Sequence, residues 1–120
     1  MMNDKNSKRY DLEERTFKFA ERVRVFVKGL PKVVSNIEDG KQLIRASGSI
    51  GANYIEANEA ISKKDFALRI KISRKESKES NYWLRLVEVR DESQEKERKE
   101  LVQEAKELTM ILSSIMRKSM

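Results

Sequence analysis

The sequence contains no cysteine and no histidine, and these two absences exclude several kinds of site. Without cysteine the chain can form neither a disulfide framework nor a thiolate metal site. Without histidine it lacks the commonest general base, the usual zinc ligand, and the Glu-x-x-His pairs of di-iron helical bundles. We therefore predict a protein that is not an enzyme, with no catalytic residue, no metal site and no cofactor.

Proline and glycine are also scarce, at one and four residues among 120, and no apolar run is long enough to span a bilayer. Charged residues make up 38% of the chain and hydrophobic residues another 38%, a mixture typical of long amphipathic helices. This composition predicts a single cytoplasmic, all-α domain over residues 11–120 that does not bind membranes. The polar residues 1–10 are predicted to form a flexible N-terminal tail.

Apolar residues recur at spacings of three and four in four segments, which predicts four helices. The first covers residues 11–29, and a Ser-x-x-Glu capping box at Ser35 opens the second. Ser62 is the predicted N-cap of the third helix, which runs to about Arg90, and the fourth follows the polar break 91–93. Short connections make successive helices antiparallel, so the predicted fold is an antiparallel up-down-up-down four-helix bundle.

The third predicted helix carries apolar residues on two faces. At about 100° per residue, one set that includes Ile70 and Leu84 shares a face suited to the core of the bundle. The second set lies more than about 90° away, and it includes Trp and Tyr, which are enriched at the buried centres of protein interfaces. The alternative is burial over a wider arc within one bundle. The second set is the predicted oligomer interface: Leu68, Ile72, Tyr82, Trp83 and Leu86.

The stretch RASGSIGANYIEANEA, residues 45–60, contains a Gly-x-x-Gly among small residues. Such a pair occurs in the backbone-clamping loop of KH RNA-binding modules, but the flanking sequence predicts no strands and lacks the Gly-Lys-Ser/Thr ending of a P-loop. We instead predict a helix whose small side chains allow the third helix to pack against it at close range, with Asn53 and Glu56 in buried polar contacts. The close-packing residues are Gly48, Ser49, Gly51, Ala52, Ser73 and Ser77.

The basic excess of the chain is concentrated in its third quarter, because residues 61–90 carry nine basic and four acidic side chains. Five cations lie within about 80° of one another on the third helix, a stripe that could follow the phosphates of a nucleic acid. Tyr82 lies in the same stripe, and an aromatic ring among cations can stack on a base. The alternative is an ordinary solvated face. The predicted nucleic-acid-binding residues are Lys64, Lys71, Lys75, Lys78 and Arg85.

Two carboxylate pairs also occur at helical spacing, Glu56 with Glu59 and Glu76 with Glu79. Pairs of this kind can bind a hard cation or divide acid and base roles between them. Since the chain has 20 acidic residues, we interpret these pairs as partners of neighbouring lysines and arginines instead.

Residues 40–88 closely resemble the four-helix bundle proteins, also called 23S rRNA intervening-sequence proteins. The matches follow in order: Arg45-Ala46, Ser49-Ile50-Gly51-Ala52-Asn53, Glu56, Lys64-Asp65-Phe66, and Glu76 with Glu79 ahead of Tyr82-Trp83-Leu84. The resemblance implies a short all-helical protein, often encoded within an intervening sequence of a ribosomal RNA gene, that assembles as a ring-like homopentamer. Where family members commonly carry a glycine, this chain has Ala57 and Asn58, which favours a helix that continues to Ala60.

The resemblance also implies similarity to the accessory variability proteins of diversity-generating retroelements, which are basic pentamers that bind a reverse transcriptase and nucleic acid. Together with the residues, it predicts a non-enzymatic homopentamer that binds RNA or DNA through the basic face of its third helix. The alternative is a protein-interaction scaffold without direct nucleic-acid binding, whose partner would be a protein such as a reverse transcriptase.

Overall fold

In the computed structural model, four helices pack into one bundle. The structure describes the backbone of residues 4–119 and the side chains of residues 12–119, and no strand occurs in that range. The helices are α1 (Asp4–Lys28), α2 (Val34–Asn58), α3 (Lys63–Leu86) and α4 (Glu92–Lys118). Each packs against the next along the chain, and α1 also packs against α4. The predicted all-α antiparallel four-helix bundle is confirmed.

The ends of the helices differ from the sequence prediction at several places. Helix α1 begins at Asp4, upstream of the predicted start at residue 11. Residues 4–10 of the predicted tail are helical and belong to α1, whereas residues 1–3 lie outside the described residues, so the flexibility of the tail stays a prediction. Helix α2 ends at Asn58, two residues before the predicted end at Ala60.

The two predicted N-caps have opposite outcomes. The capping box at Ser35 is wrong, because α2 already begins at Val34 and the N-cap position is held by Val33, which offers no side-chain hydrogen bond. The N-cap of α3 is confirmed, since Ser62 accepts a hydrogen bond from the backbone N–H of Asp65 at 3.0 Å. An oxygen at this position satisfies one of the free amides of the first turn.

A buried amide explains why α3 ends at Leu86 and not near Arg90. Asn36, which is 4% exposed, accepts a hydrogen bond from the backbone N–H of Glu88 at 2.9 Å. Its Nδ2 atom donates to the carbonyls of Glu88 at 3.0 Å and Pro31 at 2.9 Å. Because the backbone groups of Glu88 are bound by this side chain, they are not available to a further helical turn. Asn36 thus joins the α1–α2 turn to the α3–α4 turn.

All four helices contribute to one apolar core. One row of apolar residues on α4 is buried, from Leu101 through Ala105 and Leu108 to Leu112. The fully buried large side chains that pack with it include Phe19 and Val23 of α1, Leu43 and Ile50 of α2, and Ile70 and Leu84 of α3. Among the described residues, no helix is apolar enough over a sufficient length to cross a bilayer.

The side of the bundle between α1 and α4 is held by ion pairs. Arg15 of α1 lies 2.7 Å from Glu104 and 2.8 Å from Glu107 of α4. About two turns further along α1, Arg22 lies 3.0 Å from Glu97 and 3.1 Å from Glu100 of α4. Arg15 and Arg22 are therefore neutralised within the chain, whereas the exposed Lys18 beside them forms no ion pair with a described residue.

Candidate nucleic-acid interface

The structure separates two faces of α3. Ile70 and Leu84 are fully buried in the core, whereas Leu68, Tyr82 and Leu86 keep 53%, 54% and 49% of their surface exposed. The wider-arc alternative is therefore wrong for these last three residues. Their role as an oligomer interface stays a prediction, because a single copy of the chain cannot test it.

The two other members of the predicted interface are partly buried. Ile72 is half-buried, and Trp83 packs against the edge of the core. The ring of Trp83 meets that of Tyr82 edge-on, with centroids 5.0 Å apart and an interplanar angle of 78°. The indole Nε1 atom of Trp83 is buried without a hydrogen-bond partner in the described part of the chain.

One flank of α3 faces α2 through polar contacts. Arg45 of α2 lies 3.0 Å from the buried carboxylate of Glu76 and 3.3 Å from Glu79. Arg69 donates to the Oδ1 atom of Asn53 at 3.3 Å. Glu76 and Glu79 are thus partners of an arginine, in agreement with the interpretation of this pair as structural.

The first carboxylate pair behaves differently. Glu56 is exposed, so the prediction that it makes a buried polar contact is wrong, whereas Asn53 is half-buried and bonded. Neither Glu56 nor Glu59 forms an ion pair with a described residue. No group of three acidic residues that could hold a metal ion occurs in the described part of the chain.

The glycines of α2 pack against a different helix from the predicted one. A Cβ atom added to Gly51 would lie 2.8 Å from Oγ1 of Thr16, and one added to Gly48 would lie 3.4 Å from a terminal nitrogen of Arg24. Both neighbours belong to α1, so the prediction that these glycines admit α3 is wrong. The sequence shows which positions are small, but not which neighbouring helix they meet.

The remaining close-packing residues divide between two contacts. Ser73 donates to the carbonyl of Ile50 at 2.7 Å, which ties α3 to α2, and Ser77 lies 2.7 Å from the hydroxyl of Thr109 on α4. Ser49 bonds within its own helix, to the carbonyl of Arg45. Ala52 is exposed.

The five cations predicted to bind nucleic acid are all exposed on α3: Lys64, Lys71, Lys75, Lys78 and Arg85. Lys75 forms the one ion pair among them with a described residue, at 3.9 Å from Glu79. A pair at that distance between exposed groups adds little attraction. The other four cations are left without a carboxylate within 4.0 Å in the described part of the chain.

The second flank of α3 faces α4 and continues the basic surface. Arg74 on this flank donates to the hydroxyl of Ser113 of α4 at 2.7 Å. Lys78 lies one turn further along α3. Between the two helices lies a groove of about 570 Å³, which we call the α3–α4 groove. The residues lining it are Asn81, Arg85, Glu95, Arg98, Lys99, Val102, Gln103 and Lys106.

The charges in the α3–α4 groove are strongly unbalanced. The acid that lines it, Glu95, is held by Arg98 through contacts of 2.6 and 3.0 Å, and this hydrogen bonding lowers the pKa of Glu95. The opposite charges of Glu95 and Arg98 therefore cancel near neutral pH. The three remaining cations, Arg85, Lys99 and Lys106, have no carboxylate within 4.0 Å among the described residues.

Lys99 and Lys106 were missed by the sequence analysis. They lie seven residues apart on α4, a spacing that places them on one face, but the sequence does not reveal that this face borders α3. Asn81 also lines the groove, and its Oδ1 atom is buried without a hydrogen-bond partner among the described residues. The basic surface therefore extends over two helices.

These features define the class of the protein as a short, basic, all-α chain built as one four-helix bundle. A family model, described as 23S rRNA-intervening sequence protein, matches residues 8–114, and the chain belongs to that family. The resemblance stated from residues 40–88 is thus confirmed over almost the whole chain.

A solved structure supports the same assignment. The chain is similar to a protein of unknown function from the S23 ribosomal protein family of Bacteroides thetaiotaomicron VPI-5482, with 30% sequence identity and a TM-score of 0.77. The similarity covers 92% of this chain and 98% of the other. No curated protein compared with the chain matches it.

Proposed function

We propose that this protein is a non-enzymatic nucleic-acid-binding protein that holds RNA or DNA at the α3–α4 groove and on the exposed lysines of α3. Membership of a family described by a ribosomal RNA intervening sequence supports a role near RNA, although it assigns no activity to this chain. We further propose that the protein works as a homo-oligomer, for which the family resemblance implies a pentamer.

The observation that carries the proposal is the contrast between two sides of the bundle. Between α1 and α4, Arg15 and Arg22 each contact two glutamates within 3.1 Å. Around the α3–α4 groove, Arg85, Lys99 and Lys106 contact none among the described residues. The two arginines between α1 and α4 are neutralised within the chain, whereas the three cations around the α3–α4 groove are available to an external anion.

A polyanion with regularly spaced charge suits this surface better than a single small anion. The cations lie along two neighbouring helices, so they can contact successive phosphates and release the counterions condensed on them. Lysine and arginine contacts to phosphate position a nucleic acid without reading its sequence.

The binding experiment compares the wild type with a triple variant, Arg85→Gln, Lys99→Gln and Lys106→Gln. Fluorescence anisotropy with a structured RNA and a DNA duplex, at several salt concentrations, gives log Kd against log salt. Each phosphate contact contributes about 0.7 to 0.9 to the slope, so the triple variant should lose a slope of about 2 to 3.

A matched control removes the same charge elsewhere, with Lys28→Gln, Lys32→Gln and Lys41→Gln on α1, its following turn and α2. These lysines are also exposed, and the control should keep most of the wild-type slope. Absence of binding by the wild type at low salt would refute the proposal. Equal losses in the two triple variants would show that only net charge matters.

The proposed assembly is tested separately. Leu68, Tyr82 and Leu86 are about half exposed in a single copy, and such apolar groups gain from being covered. Light scattering or sedimentation should report an oligomer at micromolar protein, and Trp83→Ala should weaken it. A wild-type mass equal to that of one chain would remove this part of the proposal.

A further inference from the structure

We propose that the bundle binds one long-chain fatty acid at the end formed by the α2–α3 turn, with the alkyl chain between the helices and the carboxylate beside two lysines. The cavity at this end, which we call the end cavity, has a volume of about 1030 Å³. Small-molecule sites commonly have volumes of about 300 to 1,000 Å³, and in helical bundles they lie between the helices. The end cavity is therefore large enough for a small molecule.

The walls of the end cavity are apolar, and all four helices contribute to them. Leu12 and Tyr54 are buried, and the other large side chains of the wall are half-buried and pack against the core. The large apolar residues that line the cavity from within the helices are Leu12, Tyr54, Phe66, Ile111 and Ile115. Because these side chains are recessed, they suit a slender apolar ligand that enters the bundle better than a flat protein surface.

The mouth of the end cavity carries positive charge. Lys63 of α3 and Lys118 of α4 line it, and both are exposed. Neither lysine forms an ion pair with a described residue. Among the described residues that line the cavity none is acidic, and the lining residue Asn58 donates to the carboxylate of Glu13 at 2.8 Å. Unpaired cations beside an apolar cavity are complementary to an apolar ligand with one anionic end.

Two hydroxyl groups near the lysines can complete the binding of a carboxylate. Ser62 accepts a hydrogen bond from the backbone N–H of Asp65 at 3.0 Å, which leaves its own O–H able to donate. Ser114 lines the cavity one turn before Lys118 on α4. An ionised carboxylate accepts several hydrogen bonds, and those from charged donors are the strongest. Hydroxyls and cations at one edge of an apolar wall therefore select an amphipathic anion over a neutral hydrocarbon.

The end cavity is separate from the α3–α4 groove. Lys63 and Arg85 lie about 33 Å apart along α3, at about 1.5 Å per residue. The two sites share no lining residue in the described part of the chain. The inference is therefore independent of the proposed function, and either one can fail without the other.

Calorimetric titration of the full chain with fatty acids of increasing length tests the apolar part of the site. The probes are decanoate, dodecanoate and tetradecanoate, each below its critical micelle concentration. Each buried methylene should tighten Kd about four-fold, so each step of two methylenes should tighten it about fifteen-fold. The stoichiometry should be one fatty acid per chain. Dodecyltrimethylammonium has the same alkyl chain with a cationic end, and it should bind at least about ten-fold more weakly than dodecanoate.

A double variant, Lys63→Gln with Lys118→Gln, tests the anionic part of the site. It should weaken dodecanoate binding by at least about ten-fold, because hydrogen bonds to charged groups are lost. The matched control, Lys18→Gln with Arg117→Gln, removes the same charge from two exposed residues that do not line the cavity. This control should bind dodecanoate as the wild type does.

Filling the cavity tests its position. Ser114→Phe places a ring in the cavity from α4, and Ala60→Phe places one there from the α2–α3 turn. Each should weaken dodecanoate binding by about fifteen-fold for every two methylenes that the ring excludes. Circular dichroism checks that the helix content is kept, and one variant that passes this check is enough for the test.

Several results would overturn the inference. These are a wild type that binds none of the three fatty acids, an affinity that does not change with chain length, and equal effects of the two double variants. Binding that survives in a folded cavity-filling variant would place the ligand elsewhere. Cosedimentation with phosphatidylglycerol vesicles, without binding of free dodecanoate, would indicate a membrane surface as the partner and would overturn the inference as well.

Discussion

Two glycines three residues apart in α2 should respond in opposite directions to the same substitution. Replacing glycine by alanine inside a helix stabilises it by about 1 kcal/mol when the new methyl group has room. Gly48 has room, because the nearest atom to an added Cβ is the end of the flexible Arg24 side chain, at 3.4 Å. We expect Gly48→Ala to raise the free energy of unfolding by about 0.5 to 1 kcal/mol.

Gly51 has no such room. An added Cβ would lie 2.8 Å from Oγ1 and 3.2 Å from Cβ of Thr16, a side chain that is 1% exposed. The Thr16 hydroxyl is held by the carbonyls of Leu12 at 2.9 Å and Glu13 at 3.0 Å, so it cannot turn away freely. Overpacking costs about 1 to 3 kcal/mol, which exceeds the gain in helix propensity. Gly51→Ala should therefore lower the free energy of unfolding by about 1 kcal/mol.

Urea denaturation followed by circular dichroism measures both variants. Since the two should differ by about 2 kcal/mol, their midpoints should differ by about 1 M urea. Low and constant protein concentration keeps self-association from contributing to the comparison. Combining Thr16→Ala with Gly51→Ala should recover part of the loss, because Oγ1 is removed while Cβ remains. If Gly51→Ala stabilises the protein as much as Gly48→Ala does, the close approach of α1 and α2 is wrong.

Three further predictions concern caps, a buried carboxylate and pH. Ser62→Ala should cost about 1 kcal/mol by removing the α3 cap, whereas Ser35→Ala should have almost no effect, and urea midpoints compare the two. Arg45→Ala should cost about 1 to 2 kcal/mol because it leaves the carboxylate of Glu76 buried without its cation, and in the Glu76→Gln background the same change should cost less. The pKa of Asp91 is lowered by its N-cap hydrogen bond from Gln94, so its contribution is complete above the ordinary pKa of 3.8 and is lost as pH falls below it. Thermal unfolding between pH 7 and 3 should show this loss, and Asp91→Asn, which keeps a capping oxygen, should show a smaller one.

The fold was predictable from the sequence because its determinants are local. The spacing of apolar residues marks the helices, and Ser62 marks a start that the structure confirms. The N-cap of α2 was wrongly predicted at Ser35 because a capping motif is defined by residue type alone. The start of α2 depends instead on the extended backbone of Val33 and on Asn36, which is hydrogen-bonded to a distant turn. A contact between residues 52 apart leaves no periodic signal in the sequence.

The candidate site was predictable only in part for the same reason. Lys78 and Arg85 belong to one helix, so their common face follows from helical geometry. Lys99 and Lys106 join them only because α4 packs beside that face, a fact of tertiary structure. The glycines show the same limit. The sequence shows that positions 48 and 51 carry no side chain, but it does not show that Gly51 packs against Thr16 of α1.

The amide of Asn36 has a consequence for how the chain folds. It binds Pro31 in the first half of the molecule and Glu88 in the second, so its three hydrogen bonds are complete only when the α1–α2 and α3–α4 hairpins are docked. In either hairpin alone, Asn36 or the backbone groups of Glu88 would be exposed to water, and the buried hydrogen bonds between them would not form. The two hairpins should therefore unfold as one cooperative unit, and separately produced fragments divided at residues 59–62 should gain helix content when they are mixed.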